Sequence, residues 1–292
     1  VTDTNKYHLA KGTSADGPYD LLLTPESAGW ERSGLRILTL GPGEAHTLST
    51  GDAEFLVLPL TGGCTVTTDG KAFELAGRTG VFASVTDFAY LPPKSEALIS
   101  SASGGTYALP SARTERSSLS ARYGPKEDVP VELRGAGACS RQVNNYCLPG
   151  TFEAGQLLVC EVLTPGGNWS SYPPHKHDEA RPGEESELEE IYYFQIAGDG
   201  GFGYQRVYGT TERPIDVLAE VRSGDTVLIP HGWHGPSIAA PGYDLYYLNV
   251  MAGPGQDRAW LICDDPTHGW VRATWASQDI DDRLPLEGLT QQ

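Results

Sequence analysis

The 292-residue chain carries 38 acidic against 21 basic side chains, a formal net charge of −17. That balance argues against nucleic acid and anionic membranes, which need a basic footprint, and requires local cations to hold any small anionic substrate. Thirty-five glycines and 21 prolines favour short strands joined by turns over long helices.

The first residues lack the basic-then-apolar pattern of a signal segment. No run approaches the ~18 apolar residues of a membrane helix, so a soluble protein is expected. Cys64, Cys139, Cys147, Cys160 and Cys263 form no Cys-x-x-Cys pair and are odd in number. They read as reduced thiols of a cytoplasmic protein.

In chain order, strands are predicted at "LRILTL" (35–40), "EFLVLPL" (54–60), "GCTVTTDGKAFEL" (63–75), "LLVCEVL" (157–163), "EIYYFQI" (190–196), "DTVLIP" (225–230) and "YDLYYLNVM" (243–251). Each is short, rich in β-branched or aromatic residues, and bounded by Gly, Pro or Asp. Asp69-Gly70 supplies a hairpin turn. No segment has a long 3.6-residue apolar stripe, so the fold class is mainly β.

The chain also resembles itself. With Glu54 set beside Glu190, "EFLVLPLTG" (54–62) runs against "EIYYFQIAG" (190–198), and "YLPPKSE" (90–96) falls beside "LIPHGWH" (228–234). "GPGEAH" (41–46) matches "TPGGNW" (164–169) in the same way. Two related units are expected, residues 1–125 and 126–292, with the polar stretch 110–150 as the crossover. In this register the first unit keeps Glu54, has no His-x-His, and carries Glu96 where the second has His234. A metal site is therefore expected in the second unit only.

His175-x-His177 on an extended segment puts both imidazoles on one face and turns Lys176 to the other. Glu190 opens a strand on which Tyr192 and Phe194 share its face; Glu189 is the alternative, sharing a face with Ile191 and Tyr193. In "HGWHG", Gly232 turns the chain so that His234, chosen over His231, returns to the same region. Three imidazoles and a carboxylate suit Zn, Fe or Mn and leave positions open for water or substrate.

At these residues the chain resembles the cupin superfamily, whose hallmark is a His-x-His and glutamate motif followed by a later histidine. The resemblance implies two cupin-type β-barrels, double-stranded jelly rolls, in one chain. The gap between His177 and Glu190 is longer than most cupins have and holds the mostly acidic "DEARPGEESELE" (178–189). With that insertion, "PGGNWSSYPPHKHD" (165–178), "LEEIYYF" (188–194), "QRVY" (205–208) and "GYDLYYLNVMAG" (242–253) are similar to the 5-deoxy-glucuronate isomerase family of myo-inositol catabolism. That family implies conversion of 5-deoxy-D-glucuronate to 2-deoxy-5-keto-D-gluconate, with metal ligands at His175, His177, Glu190 and His234, and zinc as the metal.

An aldose–ketose exchange needs a Lewis acid for the developing negative charge and a group to move the proton. Glu190, Glu161 and Tyr247 are the catalytic candidates. The substrate carboxylate needs a cation, for which Arg141, Arg206 and Lys176 are candidates, with Arg181 the weaker choice. Arginine can grip a carboxylate bidentately; Lys176 should point away from the metal. The acidic insertion reads either as a lid or as a solvated loop. The same ligand set would also serve a cupin dioxygenase or a non-catalytic sugar-acid binder. A homo-oligomer is expected, because barrel edges and apolar faces pair such domains.

Overall fold

The protein, described from a computed structural model covering residues 3–116, 118–255 and 257–286, is built from antiparallel strands. Its helices among the described residues are single turns such as Thr4–Tyr7, Pro25–Ala28 and Val271–Thr274. None is long and apolar enough to cross a membrane. All five cysteines are free.

In the first half the strands run in the order Arg122–Gly124, Phe88–Leu91, Ala53–Thr68, Gly105–Arg113, Ser33–Leu40, Tyr19–Leu23. The long strand Ala53–Thr68 then bends to pair with Lys71–Arg78 and Glu96–Ser100. Asp69 and Gly70 both take positive φ between Thr68 and Lys71, the geometry of a tight two-residue hairpin turn.

In the second half a larger sheet runs His8–Leu9, Thr226–Ile229, Glu189–Ile196, Leu245–Ala252, Leu158–Thr164, Arg141–Cys147, Val131–Arg134. Facing it is a smaller sheet of Asp216–Val221, Gly203–Tyr208, Trp233–Ala239, His175–Lys176 and Cys263–Asp264. The amino-terminal strand His8–Leu9 therefore lies on the second half's sheet, although residues 1–125 were expected to form the first unit. It covers the otherwise open edge of Thr226–Ile229, and Asp225 holds it through His8 and the Lys11 amide.

Strand alternation sorts the apolar residues into three layers. Phe55, Val57, Leu38 and Leu109 fill the first barrel, and Tyr192, Phe194, Val162 and Val227 fill the second. Between them Leu35, Ile37, Leu56 and Leu58 pack against Ile191, Tyr193, Leu248 and Val250. Each such side chain stabilises the fold by roughly 1.5–3 kcal/mol on full burial.

Pairing corrects the register of the repeat. Phe55 pairs with Leu91, and Glu190 with Ile229; Leu56 pairs with Tyr90, and Ile191 with Leu228. Phe55 thus holds the place of Glu190, and Glu54 that of Glu189, one residue away from the sequence alignment. A shift of one residue exchanges the two faces of a strand. Glu54 accordingly points between the halves, where it accepts hydrogen bonds from the amides of Gly155, Gln156 and Leu157 and from the Tyr90 hydroxyl. Glu189 does the reciprocal, accepting from the amides of Glu31, Arg32 and Ser33.

Candidate metal centre

His175 pairs directly opposite His234 across the smaller sheet, and His177 follows two residues on. The ring of His234 lies 4.4 Å from that of His175 and 4.7 Å from that of His177, centroid to centroid. Gly232 makes this approach possible: its φ is +90°, and a Cβ there would meet the Tyr208 carbonyl oxygen at 2.7 Å. From the opposite sheet Glu190 brings Oε2 to 3.1 Å from His177 Nε2 and 2.9 Å from His234 Nε2. The potential ligand atoms of the three histidines lie within 4.8 Å of one another.

These atoms meet without hydrogen bonding. His177 Nε2, His234 Nε2 and both Glu190 carboxylate oxygens are buried with no partner in hydrogen-bond geometry. Four orphaned polar atoms aimed at one point would be costly unless a cation joined them. His175 Nδ1 and His234 Nδ1 each face a backbone carbonyl, of Pro173 and Gly232, at 3.3 Å. A carbonyl only accepts, so Nδ1 carries the proton and each Nε2 lone pair points at the centre. Burial, reinforced by His234 and His177, drives His175 well below its usual pKa, so it stays neutral. Burial opposes the charge on Glu190, but positive charge on His234 and His177, when those rings are protonated, outweighs it and holds the carboxyl well below its ordinary range. The residues present fit a divalent transition metal.

Beside His175 opens a cavity of about 180 Å³, lined on the larger sheet by Tyr192, Asn249, Tyr247, Val162, Val143 and Arg141. Trp260, Ile262 and Arg272 close it from the carboxy-terminal segment. Arg134 and Arg272 also reach its wall, but each is paired bidentately, with Glu132 and Asp264 respectively. Arg141 is buried and donates to the Cys139 carbonyl, with its guanidinium over the Trp275 ring; among the described residues no carboxylate pairs with it. Burial, with Arg134 and Arg272 nearby, pushes it down to about 10, still charged at neutral pH. Tyr247 stacks on Tyr192 at 4.5 Å, and Tyr192 stands edge-on to His234.

Three sequence candidates lie elsewhere. Glu161 points to the interface between the halves, where it accepts from Arg78, Asn144, Tyr146 and Tyr246. Its neighbours Cys160 and Val162 take the barrel face, so alternation turns Glu161 away from the metal centre. Arg206 shares the outer face with exposed Tyr204 and pairs with Asp216, while Gln205 and Val207 face inward. Lys176 does point away from the imidazoles and binds Asp178 at 2.7 Å and Glu185 at 2.8 Å. His231 stands outside the histidine cluster.

The acidic insertion is an ordered hairpin, Asp178–Arg181 against Glu185–Glu187. Buried Glu185 ties it down, accepting from Lys176, the Asp178 amide and Arg181. None of its residues lines the cavity beside His175, whereas Trp260, Ile262 and Arg272 do. Sequence reasoning missed those residues, together with Arg134, Tyr192 and Asn249. The first three lie in a segment with no strand or helix pattern to place it.

Antiparallel sheets closing over a buried His₃–Glu cluster define a cupin-type protein with a site able to hold a metal. Oxalate decarboxylase from Lactobacillus farciminis shares the fold, with a TM-score of 0.63 at 12% identity over 88% of each chain. The profile of the KduI/IolB family matches residues 8–271, and the chain belongs to that family. An IolB-like protein from Salmonella typhimurium LT2 superposes with a TM-score of 0.83 at 34% identity, over 91% of this chain and 98% of its own. The 5-deoxy-glucuronate isomerase of Geobacillus thermodenitrificans (strain NG80-2) is 43% identical over 250 residues, 85% of this chain and 89% of that protein.

Proposed function

We propose that this chain is a metal-dependent aldose–ketose isomerase that converts 5-deoxy-D-glucuronate to 2-deoxy-5-keto-D-gluconate. The observation that carries the reading is one cavity lined both by His175, a member of the His₃–Glu cluster with its orphaned atoms, and by the buried Arg141 guanidinium, which has no carboxylate partner among the described residues. It agrees with the name of the relative that matches 85% of the chain.

His175, His177, Glu190 and His234 would hold the metal, zinc by analogy with the family. When bound, it supplies Lewis acidity where negative charge develops as the proton beside the carbonyl is removed. Arg141 receives the substrate carboxylate through parallel charge-assisted hydrogen bonds, which fixes the acid end of the sugar. Burial raises the Tyr247 hydroxyl above its usual pKa, so it keeps its proton at neutral pH and serves as a donor, not a base. Trp260 and Ile262 exclude water over the cavity. The first half, with Phe55 at the ligand position, acts as scaffold.

Incubation with 5-deoxy-D-glucuronate in D₂O, followed by NMR, tests the reading. The expected result is ketose formation, with deuterium at the former carbonyl carbon if the proton exchanges with solvent. Absence of any ketose from metal-loaded protein overturns it.

A further inference from the structure

On the cavity face of the larger sheet, the rungs of cross-strand pairs carry different chemistry in a fixed order. The first rung is Glu190–Met251–Leu158, at the metal end. The second is Tyr192–Asn249–Cys160–Asn145. The third is Phe194–Tyr247–Val162–Val143. Two residues before Val143 on the same strand stands Arg141, paired across to Arg134. Successive rungs are spaced about 6.8 Å, and the cavity is lined at one end by His175 and at the other by Arg141.

The second rung is polar and incompletely satisfied: Asn249 Oδ1 and Asn145 Oδ1 are buried without partners, and Asn249 lines the cavity. On the third rung the Tyr247 ring stacks on that of Tyr192 from the second. That leaves Val143 and Val162, both buried, as the wall beside Arg141, with Ile262 also lining the cavity. Along the sheet, a metal ligand, an unmet amide, a pair of valines and a guanidinium without a carboxylate partner among the described residues thus follow one another.

An open-chain 5-deoxy-glucuronate carries its groups in the same order: carbonyl and hydroxyl at the reacting end, hydroxyls in the middle, a methylene, then the carboxylate. Resting on the function proposed above, we infer that Val143 and Val162 are specificity-determining residues that select a substrate with no hydroxyl on the carbon beside its carboxylate. A hydroxyl at that carbon would be buried against two valines and lose its water without gaining a partner. Asn249 receives a hydroxyl from the middle of the chain.

The test compares 5-deoxy-glucuronate with glucuronate, which differs by that one hydroxyl, as substrates of the wild-type protein and of Val143→Thr, Val162→Thr and the double variant. Threonine matches valine in shape and adds a hydroxyl that can pair with the extra group. Ring closure of either sugar is the same for every variant and cancels when ratios are compared. The expected result is a narrowing of the kcat/KM preference for the deoxy substrate by about tenfold in the double variant, with bound metal unchanged. An unchanged ratio in metal-loaded variants, with the wild-type protein active, overturns the role of the valines while leaving the isomerase reading intact. If the wild-type protein turns over neither sugar, the isomerase reading falls and the valine assignment with it. Should Val162→Thr not fold, Val143→Thr alone is expected to narrow the ratio in the same direction.

Discussion

Phe55 occupies in the first half the strand position that Glu190 holds in the second: each pairs with the corresponding residue of its neighbouring strand, Leu91 and Ile229. The difference between the two barrels is therefore concentrated at the ligand positions. An aromatic ring packs the first barrel where a carboxylate enters the second. The glutamate that both halves do share, Glu54 and Glu189, lies on the opposite face and clamps each half to the segment that enters the other.

The clamps make a stability prediction. Glu54→Gln exchanges a carboxylate that accepts three backbone amides for a group with one acceptor and one donor. The expected cost is about 1–3 kcal/mol, read as a lower midpoint in urea denaturation. Glu189→Gln is expected to behave alike, and in both variants the folded protein should retain its metal. Unchanged midpoints in both would remove the clamps from the account.

Glu161 is expected to support the fold rather than the chemistry, because its carboxylate is taken up by Arg78, Asn144, Tyr146 and Tyr246. Glu161→Gln leaves Arg78 buried beside a neutral amide, and removal of one partner of a buried pair costs about 3–5 kcal/mol. Thermal unfolding should shift accordingly, whereas kcat of the folded enzyme should stay within about twofold of wild type. A large loss of kcat in folded, metal-loaded protein would restore Glu161 as a catalytic residue.

Arg141 is the expected carboxylate grip. Arg141→Lys loses the bidentate fork, and a charge-assisted hydrogen bond is worth about 1.5–3 kcal/mol, so kcat/KM should fall on the order of 10–100-fold. The loss should appear mainly in KM, with metal content unchanged. Because the folded-state pKa of Arg141 is pushed down to about 10, KM for the anionic substrate should climb as pH rises through that value. A flat KM profile in that range, together with normal KM in Arg141→Lys, would place the carboxylate elsewhere.

Much of the site was legible because period-two alternation carries it. His175 and His177 share a face by spacing alone, Lys176 opposes them, and Gly232 marks the turn that returns His234. Period two alone left Glu190, with Tyr192 and Phe194, and Glu189, with Ile191 and Tyr193, both open; the cupin resemblance pointed to Glu190, and its carboxylate does stand beside His177 and His234. Alternation failed where a strand is buried on both faces. "LLVCEVL" gives no sign of which side is the barrel, and Glu161 went to the wrong one. The same ambiguity hid the one-residue slip that set Glu54 beside Glu190, since both faces of both strands are apolar. Arg206 was a candidate by charge, and its strand puts it on the outer face with exposed Tyr204. Trp260 and Ile262, in irregular chain, and Arg272, in the single helical turn Val271–Thr274, reach the cavity only through tertiary folding, which no local pattern announces.

The central claim is that a metal held by His175, His177, Glu190 and His234 is required for isomerisation. The most direct measurement is the rate of ketose formation from 5-deoxy-D-glucuronate as chelator-stripped protein is titrated with zinc, with bound metal counted by elemental analysis. Activity should rise in proportion to bound metal and level off at one ion per chain, and His177→Ala should bind none and remain inactive. Full turnover by metal-free protein would contradict it.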